Sequence, residues 1–326
     1  MHILITGAAG MIGRKLVHRL AADGALGARG ITALTLLDAL PPGSPDGFGG
    51  TVTSVAADLA TPGVAETAVA GRPDVVFHLA GVVSGEAEAD FEKGYRVNLD
   101  GTRALFEAIR RHGAPYRPRV VFTSSIAAYG SPFPDVIADD FLTTPRTCYG
   151  TQKVICELLL ADYTRRGVLD GIGLRLPNIC IRPGAPNKAA SGFFSNILRE
   201  PLAGREAVLP VGEDVRMWHA SPRSAVSFLL HAATIDLTPL GGRRSLMMPG
   251  VSVTVGEQIA ALRRVAGEAA VRLIRPAFDP MINAMFATIP GRFDTRRAVT
   301  LGFHAETAFD AIIEVHIQDE LGGVIP

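Results

Sequence analysis

Tyr149-Gly150-Thr151-Gln152-Lys153 sets a phenol and an amine four residues apart, a spacing that puts both on one face of a helix. A phenol is a weak base unless a nearby cation favours its anion. With an ammonium beside it, it can take a proton from a substrate hydroxyl. Lysine is scarce here, at positions 15, 93, 153 and 188 only, so a lysine at this spacing stands out from background. Upstream, Thr123-Ser124-Ser125 closes an apolar run. A hydroxyl at the carboxyl end of a buried strand sits where α/β sheets bind their ligands. Ser125 is the candidate for orienting the reacting oxygen beside Tyr149.

A second constellation lies at the start of the chain. Thr6-Gly7-Ala8-Ala9-Gly10-Met11-Ile12-Gly13 falls between an apolar run and an amphipathic one. Gly7 suits a tight turn, Gly10 lets the backbone approach a pyrophosphate, and Gly13 lets helix and strand pack closely. The N-terminus of the helix, at Met11, offers N–H donors and partial positive charge to phosphate. Asp38 closes the second apolar run. A carboxylate there accepts hydrogen bonds from adenosine ribose hydroxyls and repels a 2′-phosphate, which predicts NAD over NADP. Asp58-Leu59, at the end of a third run, are expected to border the adenine ring.

These residues need a scaffold, and the hydrophobic pattern supplies one. Strands are predicted at His2 to Thr6, Thr32 to Leu37, Thr51 to Ala56, Asp74 to Leu79, Arg119 to Thr123 and Gly171 to Leu176. Helices are predicted between them at Met11 to Asp23, Gly63 to Ala70, Asn98 to His112 and Tyr149 to Arg166. Continuous apolar strands separated by helices imply an α/β fold with a doubly wound parallel Rossmann sheet, covered on both faces. After Leu176, prolines punctuate a loop-rich stretch. Ser224 to Ile235 reads as helix and Arg244 to Met248 as strand. Val255 to Ala266, Asp294 to Val299 and Ala305 to Leu321 read as further helices. The expected organisation is a Rossmann domain over 1–177, rejoined by about 222–250, with a smaller mixed substrate lobe from 178–221 and 251–326.

Composition narrows the function classes. The chain has 326 residues, 48% of them hydrophobic, with 32 basic against 32 acidic side chains. That is enough to bury a sizeable core, and no bulk charge points to nucleic acid or a membrane surface. No apolar run reaches the roughly 18 residues of a membrane span, and no basic leader precedes the first strand. The cysteines, Cys148, Cys156 and Cys180, fit no zinc or redox spacing. No His/Asp/Glu cluster has metal-ligand spacing. The expectation is a cytoplasmic protein acting on a small molecule, with no metal.

The glycine loop, His78-Leu79-Ala80-Gly81, Asn98-Leu99-Asp100-Gly101-Thr102, Ser124-Ser125 and Tyr149 to Lys153 together resemble the extended short-chain dehydrogenase/reductase family. That family includes nucleotide-sugar epimerases, dehydratases and uronate dehydrogenases. The resemblance covers roughly the first 185 residues. It implies catalytic roles for Ser125, Tyr149 and Lys153, with Lys153 also holding the nicotinamide ribose. It implies cofactor contacts at Gly7, Gly10, Met11, Ile12, Gly13, Asp38, Asp58, Leu59, Leu79, Ala80, Gly81, Asn98 and Pro177. A homodimer packed through the helices after Asn98 and Tyr149 is common in the family and is expected here.

Two departures select within it. Dehydratases carry Asp-Glu directly after the catalytic hydroxyl residue, where this chain has Ile126-Ala127. Epimerases carry an Arg-Asp-aromatic-x-His-Val segment, where this chain reads Arg216-Met217-Trp218-His219-Ala220-Ser221. The second-lobe text resembles the family's sugar-acid dehydrogenases, which implies oxidation of a sugar acid with NAD. A sugar acid needs a cation for its carboxylate and several hydroxyl partners. Lys188, Arg182 and Arg216 are the cation candidates, and Ser84, Asn178 and His219 the candidates for hydroxyls. The runner-up is an epimerase using NAD transiently. An NAD sensor without turnover is the reading from another class.

Overall fold

The computed structural model describes residues 1–184 and 190–325. In chain order the main elements are β1 (His2–Thr6), α1 (Met11–Asp23), β2 (Ala33–Asp38), β3 (Thr51–Ala56), α2 (Val64–Val69), β4 (Val75–His78), α3 (Ser84–Ala89), α4 (Gly101–His112), β5 (Arg119–Ser125), α5 (Cys148–Arg165) and β6 (Asp170–Leu176). There follow β7 (Asn178–Ile179), α6 (Phe193–Leu202), β8 (Arg216–Ala220), α7 (Pro222–Thr234), β9 (Ser245–Met247), β10 (Val251–Thr254), α8 (Val255–Val271) and α9 (Phe309–Glu320).

Seven strands form one sheet in the order β3-β2-β1-β4-β5-β6-β9. β1 pairs in parallel with both β2 and β4, β2 with β3, and β4 with β5. The order reverses between β1 and β4, the switch point at which doubly wound folds bind their ligands. The inner strands β1, β2 and β4 are buried along nearly their whole length because both faces are covered, whereas β3, at the edge, is largely exposed. Leu4, Leu37, Val76, Val120 and Phe122 share one core with Leu105, Phe106 and Ile109 of α4 and Cys156 and Leu160 of α5. α1 buries Leu16, Val17, Leu20 and Ala21. It ends at Gly24, whose left-handed φ of 62° lets its N–H reach the Leu20 carbonyl.

The chain divides into two compact units. The first comprises Met1–Ala128, Thr147–Arg175 and Val226–Leu246. The second comprises Tyr129–Arg146, Leu176–Ala225 and Met247–Pro326. The chain returns to the first unit over Val226–Leu246, and the stretch 129–146 groups with the second unit although it precedes α5 in the chain. The second unit is mixed, with β8 antiparallel to β10 and parallel to β7. A separate parallel pair joins Ala207–Leu209 to Ile274–Pro276.

Candidate active site

The glycine loop leaves β1 and enters α1 with no side-chain cap on the helix. Gly7 has φ +77°, and a Cβ built on it would fall 2.7 Å from the Ala80 nitrogen. A Cβ on Gly13 would fall 2.1 Å from the Gly7 carbonyl oxygen. Both glycines are therefore required by the packing of the loop against the Leu79–Ala80 backbone and against itself. The result is an uncapped helix end beneath a bare backbone loop, which fits a pyrophosphate. Met11 and Ile12 open α1 and are half-buried.

Asp38 ends β2 beside this loop. Its carboxylate accepts the Ala9 N–H at 3.0 Å and the Leu40 N–H at 3.0 Å. A carboxylate has about four acceptor sites, so a pair of ribose hydroxyls finds acceptors already oriented. Asp58 accepts the Ala60 N–H at 2.9 Å and is ion-paired to Arg96. Burial alone would raise its carboxyl. The Arg96 and Ala60 hydrogen bonds outweigh that and hold it below the usual carboxylate range. Leu59 is buried in the core beside it.

Next along the sheet, Leu79, Ala80 and Gly81 follow β4. A Cβ on Gly81 would lie 2.8 Å from the Asn98 side-chain oxygen and 3.7 Å from Lys153 Nζ, so the glycine leaves room for both. Asn98 sits in a π-helical turn, Tyr95–Asp100, that leads into α4. Its Oδ1 accepts the Val82 N–H at 2.8 Å, and its Nδ2 donates to Gln152 Oε1 at 2.7 Å. This fixes the loop that carries Ser84, the first residue of α3. Beneath the loop, Thr102 donates to the Asn98 carbonyl, so His78 Nε2 donates to Thr102 Oγ1 at 2.8 Å and the Thr6 hydroxyl donates to Nδ1 at 2.7 Å. Burial, with Lys153 nearby, pushes the His78 imidazole down to about 3. The ring is neutral at physiological pH and adds no charge beside Lys153.

The chemical end comes from β5 and α5. Thr147 caps α5, its hydroxyl accepting the Gly150 N–H at 3.0 Å. Tyr149 therefore stands in the first turn, where helix dipoles favour negative charge. Lys153, one turn on, is buried at 5% exposure. Its Nζ donates to the Thr123 carbonyl at 2.9 Å and lies 4.9 Å from the Phe122 ring centroid and 5.5 Å from that of Tyr149. One of its three donors is spent on β5 and the others are left for polar groups in front of the ring. Ser125 ends β5, its Oγ accepting the Ala127 N–H at 3.1 Å, which leaves the hydroxyl proton to donate. Behind it, Ser124 donates to Glu157, and Glu157 pairs with Arg175, Nη2 to Oε2 at 2.6 Å. The strand end is pinned by a buried ion pair.

In the second unit, Asn178 is buried and joins Arg182 at 2.8 Å and His219 at 3.2 Å. His219 has no exposed surface, packs edge-on against Phe194 and Phe309, and has the Gln258 amide 2.8 Å from Nε2. Burial, with Arg182 adding to it, pushes its imidazole down to about 3. The expected hydroxyl contact at His219 is replaced by a core role. Arg182 also binds Ser191 Oγ at 3.0 Å and the Ile179 carbonyl at 3.0 Å. Arg216 lies 3.2 Å from Glu257, so its charge is partly offset within the unit. Lys188 lies outside the described residues. Pro177 directly follows β6. Gln152, which holds Asn98, was not among the expected site residues. The signal was its position between Tyr149 and Lys153 on a helix whose partner elements are far away in sequence.

Three free cysteines are present, and no metal-binding cluster and no membrane-length apolar helix occur among the described residues. A model of the NAD dependent epimerase/dehydratase family matches residues 3–227. A D-erythronate dehydrogenase from Cupriavidus necator is 45% identical over 323 residues, 98% of each chain. One from Haemophilus influenzae is 39% identical over 321 residues, 98% of this chain and all of that one. A solved structure described as the nucleoside-diphosphate-sugar epimerase from Agrobacterium tumefaciens superposes with a TM-score of 0.98 at 63% identity, over 100% of this chain and 96% of that one.

Proposed function

The chain belongs to the NAD dependent epimerase/dehydratase family, and we propose that within it the protein oxidises a sugar acid at its C2 hydroxyl, D-erythronate to 2-oxo-erythronate with release of NADH. The observation that carries the chemistry is Lys153, held by β5 and stacked near Tyr149. Its ammonium attracts the phenolate, and Tyr149 Oη takes the C2 hydroxyl proton. Ser125 donates a hydrogen bond to the same substrate oxygen and holds it against Tyr149. Bound NAD supplies the acceptor for the C2 hydride, so that the carbonyl forms as the C–H and O–H bonds break. The glycine loop, Asp38, Leu79 to Gly81, Asn98 and Lys153 are the residues that would hold it, with Asp58, Leu59 and Pro177 at its edges. Ser84, Asn178, Arg182 and Lys188 are the candidates for the substrate hydroxyls and carboxylate.

The two full-length dehydrogenase relatives support this substrate. The more identical Agrobacterium structure is described as an epimerase, and the two descriptions disagree. We favour the dehydrogenase because Arg216, where epimerases use an arginine on the diphosphate, is paired with Glu257. The test is NADH absorbance with D-erythronate. NADH accumulates on this reading. Isomerised nucleotide sugar without net NADH would establish the epimerase instead. No NADH with any four- to six-carbon aldonate or uronate would end the dehydrogenase reading.

A cytoplasmic location is part of this proposal, and the three free cysteines suit a reducing compartment. We also propose a homodimer through α4 and α5. α5 leaves Leu158 67% exposed beside half-buried Leu159 and Tyr163, an apolar strip suited to a second copy. Light scattering should give twice the chain mass, and Leu158→Glu should shift it to monomer. A wild-type monomer at working concentration would overturn the dimer.

A further inference from the structure

The far edge of the first unit's sheet, at the amino ends of its strands, holds an unassigned cavity of about 570 Å³. It is lined by residues at or just before the starts of β2, β4, β5 and β6, including Arg29, Arg72, Asp74, Tyr116, Arg117, Arg119 and Asp170. Ser125 and the glycine loop lie at the opposite, carboxyl ends of the strands.

The charges do not balance there. Asp74 pairs with Arg29 at 2.8 Å. Asp170 is shared among Arg119 at 2.9 Å, Arg244 at 2.6 Å and Arg117 at 4.0 Å. Arg72 lies over the Tyr116 ring, 6.0 Å from its centroid. Of the lining residues, four guanidiniums, those of Arg29, Arg72, Arg117 and Arg119, thus face two carboxylates. The inner cations are structural. Arg119 is largely buried and also ties the Ala232 and Ile235 carbonyls. Arg244 is buried behind it with Nε unpartnered. Burial pushes its guanidinium below the usual value against the pull of Asp170, and Arg119 and Arg117 add to the push. The outer cations are different. Arg72 and Arg117 are solvent-accessible at the cavity, and Arg72 is the only non-glycine among the described residues with positive φ, at 49°. That backbone is disfavoured for a side-chain-bearing residue, and such outliers gather at ligand sites. A surplus of like charge in a concave site repels itself and is relieved by an anion. Arginine forks match phosphate oxygens in pairs, and the volume suits a small molecule.

We propose that this cavity is a second ligand site, which takes a polyphosphate-bearing anion between Arg72 and Arg117 with Arg29 at its rim. Pyrophosphate and ADP share the recognised group, and comparing the two distinguishes an inorganic anion from a nucleotide. The test is calorimetry with each probe at fixed ionic strength, in saturating NAD so that the glycine loop is filled. Wild-type protein should bind one equivalent of pyrophosphate. Arg72→Ala with Arg117→Ala should weaken it by about a hundredfold, from about tenfold per charge-assisted contact. Arg72→Gln alone should weaken it by about tenfold. Both side chains are accessible, so NADH formation and Tm should stay at wild-type levels. Tighter binding of ADP than of pyrophosphate assigns the group to a nucleotide; equal or weaker binding assigns it to an inorganic anion. Absence of binding by wild type, or affinity unchanged in both variants, would overturn the site.

Discussion

Tyr149→Phe is expected to lower kcat for sugar-acid oxidation by about a hundredfold to ten-thousandfold, the usual worth of a positioned general base, while NAD affinity stays within a few-fold. The substitution removes one hydroxyl and nothing that holds the helix. The Thr147 cap on Gly150 remains. Lys153 keeps its bond to Thr123 and its place over Phe122. What is lost is the atom that, on the proposed mechanism, would take the C2 proton. Lys153→Met differs in kind. It should weaken NAD as well as lower kcat, because on the proposed mechanism its amine would serve both the phenolate and the ribose. The measurement is steady-state NADH formation beside calorimetric NAD binding. A Tyr149→Phe enzyme within tenfold of wild-type kcat would remove Tyr149 from the base role.

The parts of the molecule that were readable in advance are those where local pattern and tertiary demand coincide. β1, α1 and β3 occupy the expected spans to the residue, because their patterns are bounded by glycine or turn residues. Tyr149 and Lys153 were readable because a helical step is local. The less readable parts depend on partners distant in the chain. α3, with the sequence Ser-Gly-Glu-Ala-Glu-Ala, shows no apolar stripe. α6 contains Pro201 and reads as broken, yet its length is set by burying Phe193, Phe194, Ile197 and Leu198. His219 looked available for hydroxyl contact because nothing in Trp-His-Ala-Ser shows that Phe194, Phe309 and Gln258 close around it. Arg216 looked like a free cation because Glu257, which offsets it, belongs to a capping box with Thr254 at the start of α8. Sequence spacing shows which groups can act together along one element. Which groups neutralise each other across elements is settled only by packing.

Cofactor choice turns on such a partner. Wild-type protein is expected to prefer NAD to NADP by on the order of a hundredfold. Asp38 is held by the Ala9 and Leu40 amides with acceptor capacity to spare. Ribose hydroxyls would make charge-assisted bonds to it, each of order 1.5–3 kcal/mol. A 2′-phosphate would lose them and meet a like charge. Ala39 and Leu40, next in the chain, offer no cation. The structure adds one from elsewhere: Arg14 donates to the Ala9 carbonyl at 3.0 Å, on the same loop residue whose amide holds Asp38. In wild type its pull on a 2′-phosphate is opposed by the carboxylate. In Asp38→Ala the opposition is gone and Arg14 remains. That variant should therefore raise KM for NAD and lower KM for NADP, so the preference closes from both sides. Adding Arg14→Ala should return KM for NADP toward the wild-type value while leaving NAD weak. The three enzymes, assayed with both cofactors at low ionic strength, separate the two charges. Equal use of NAD and NADP by wild type would mean that Asp38 does not face the ribose. An NADP gain in Asp38→Ala that persists without Arg14 would mean that carboxylate removal alone accounts for it.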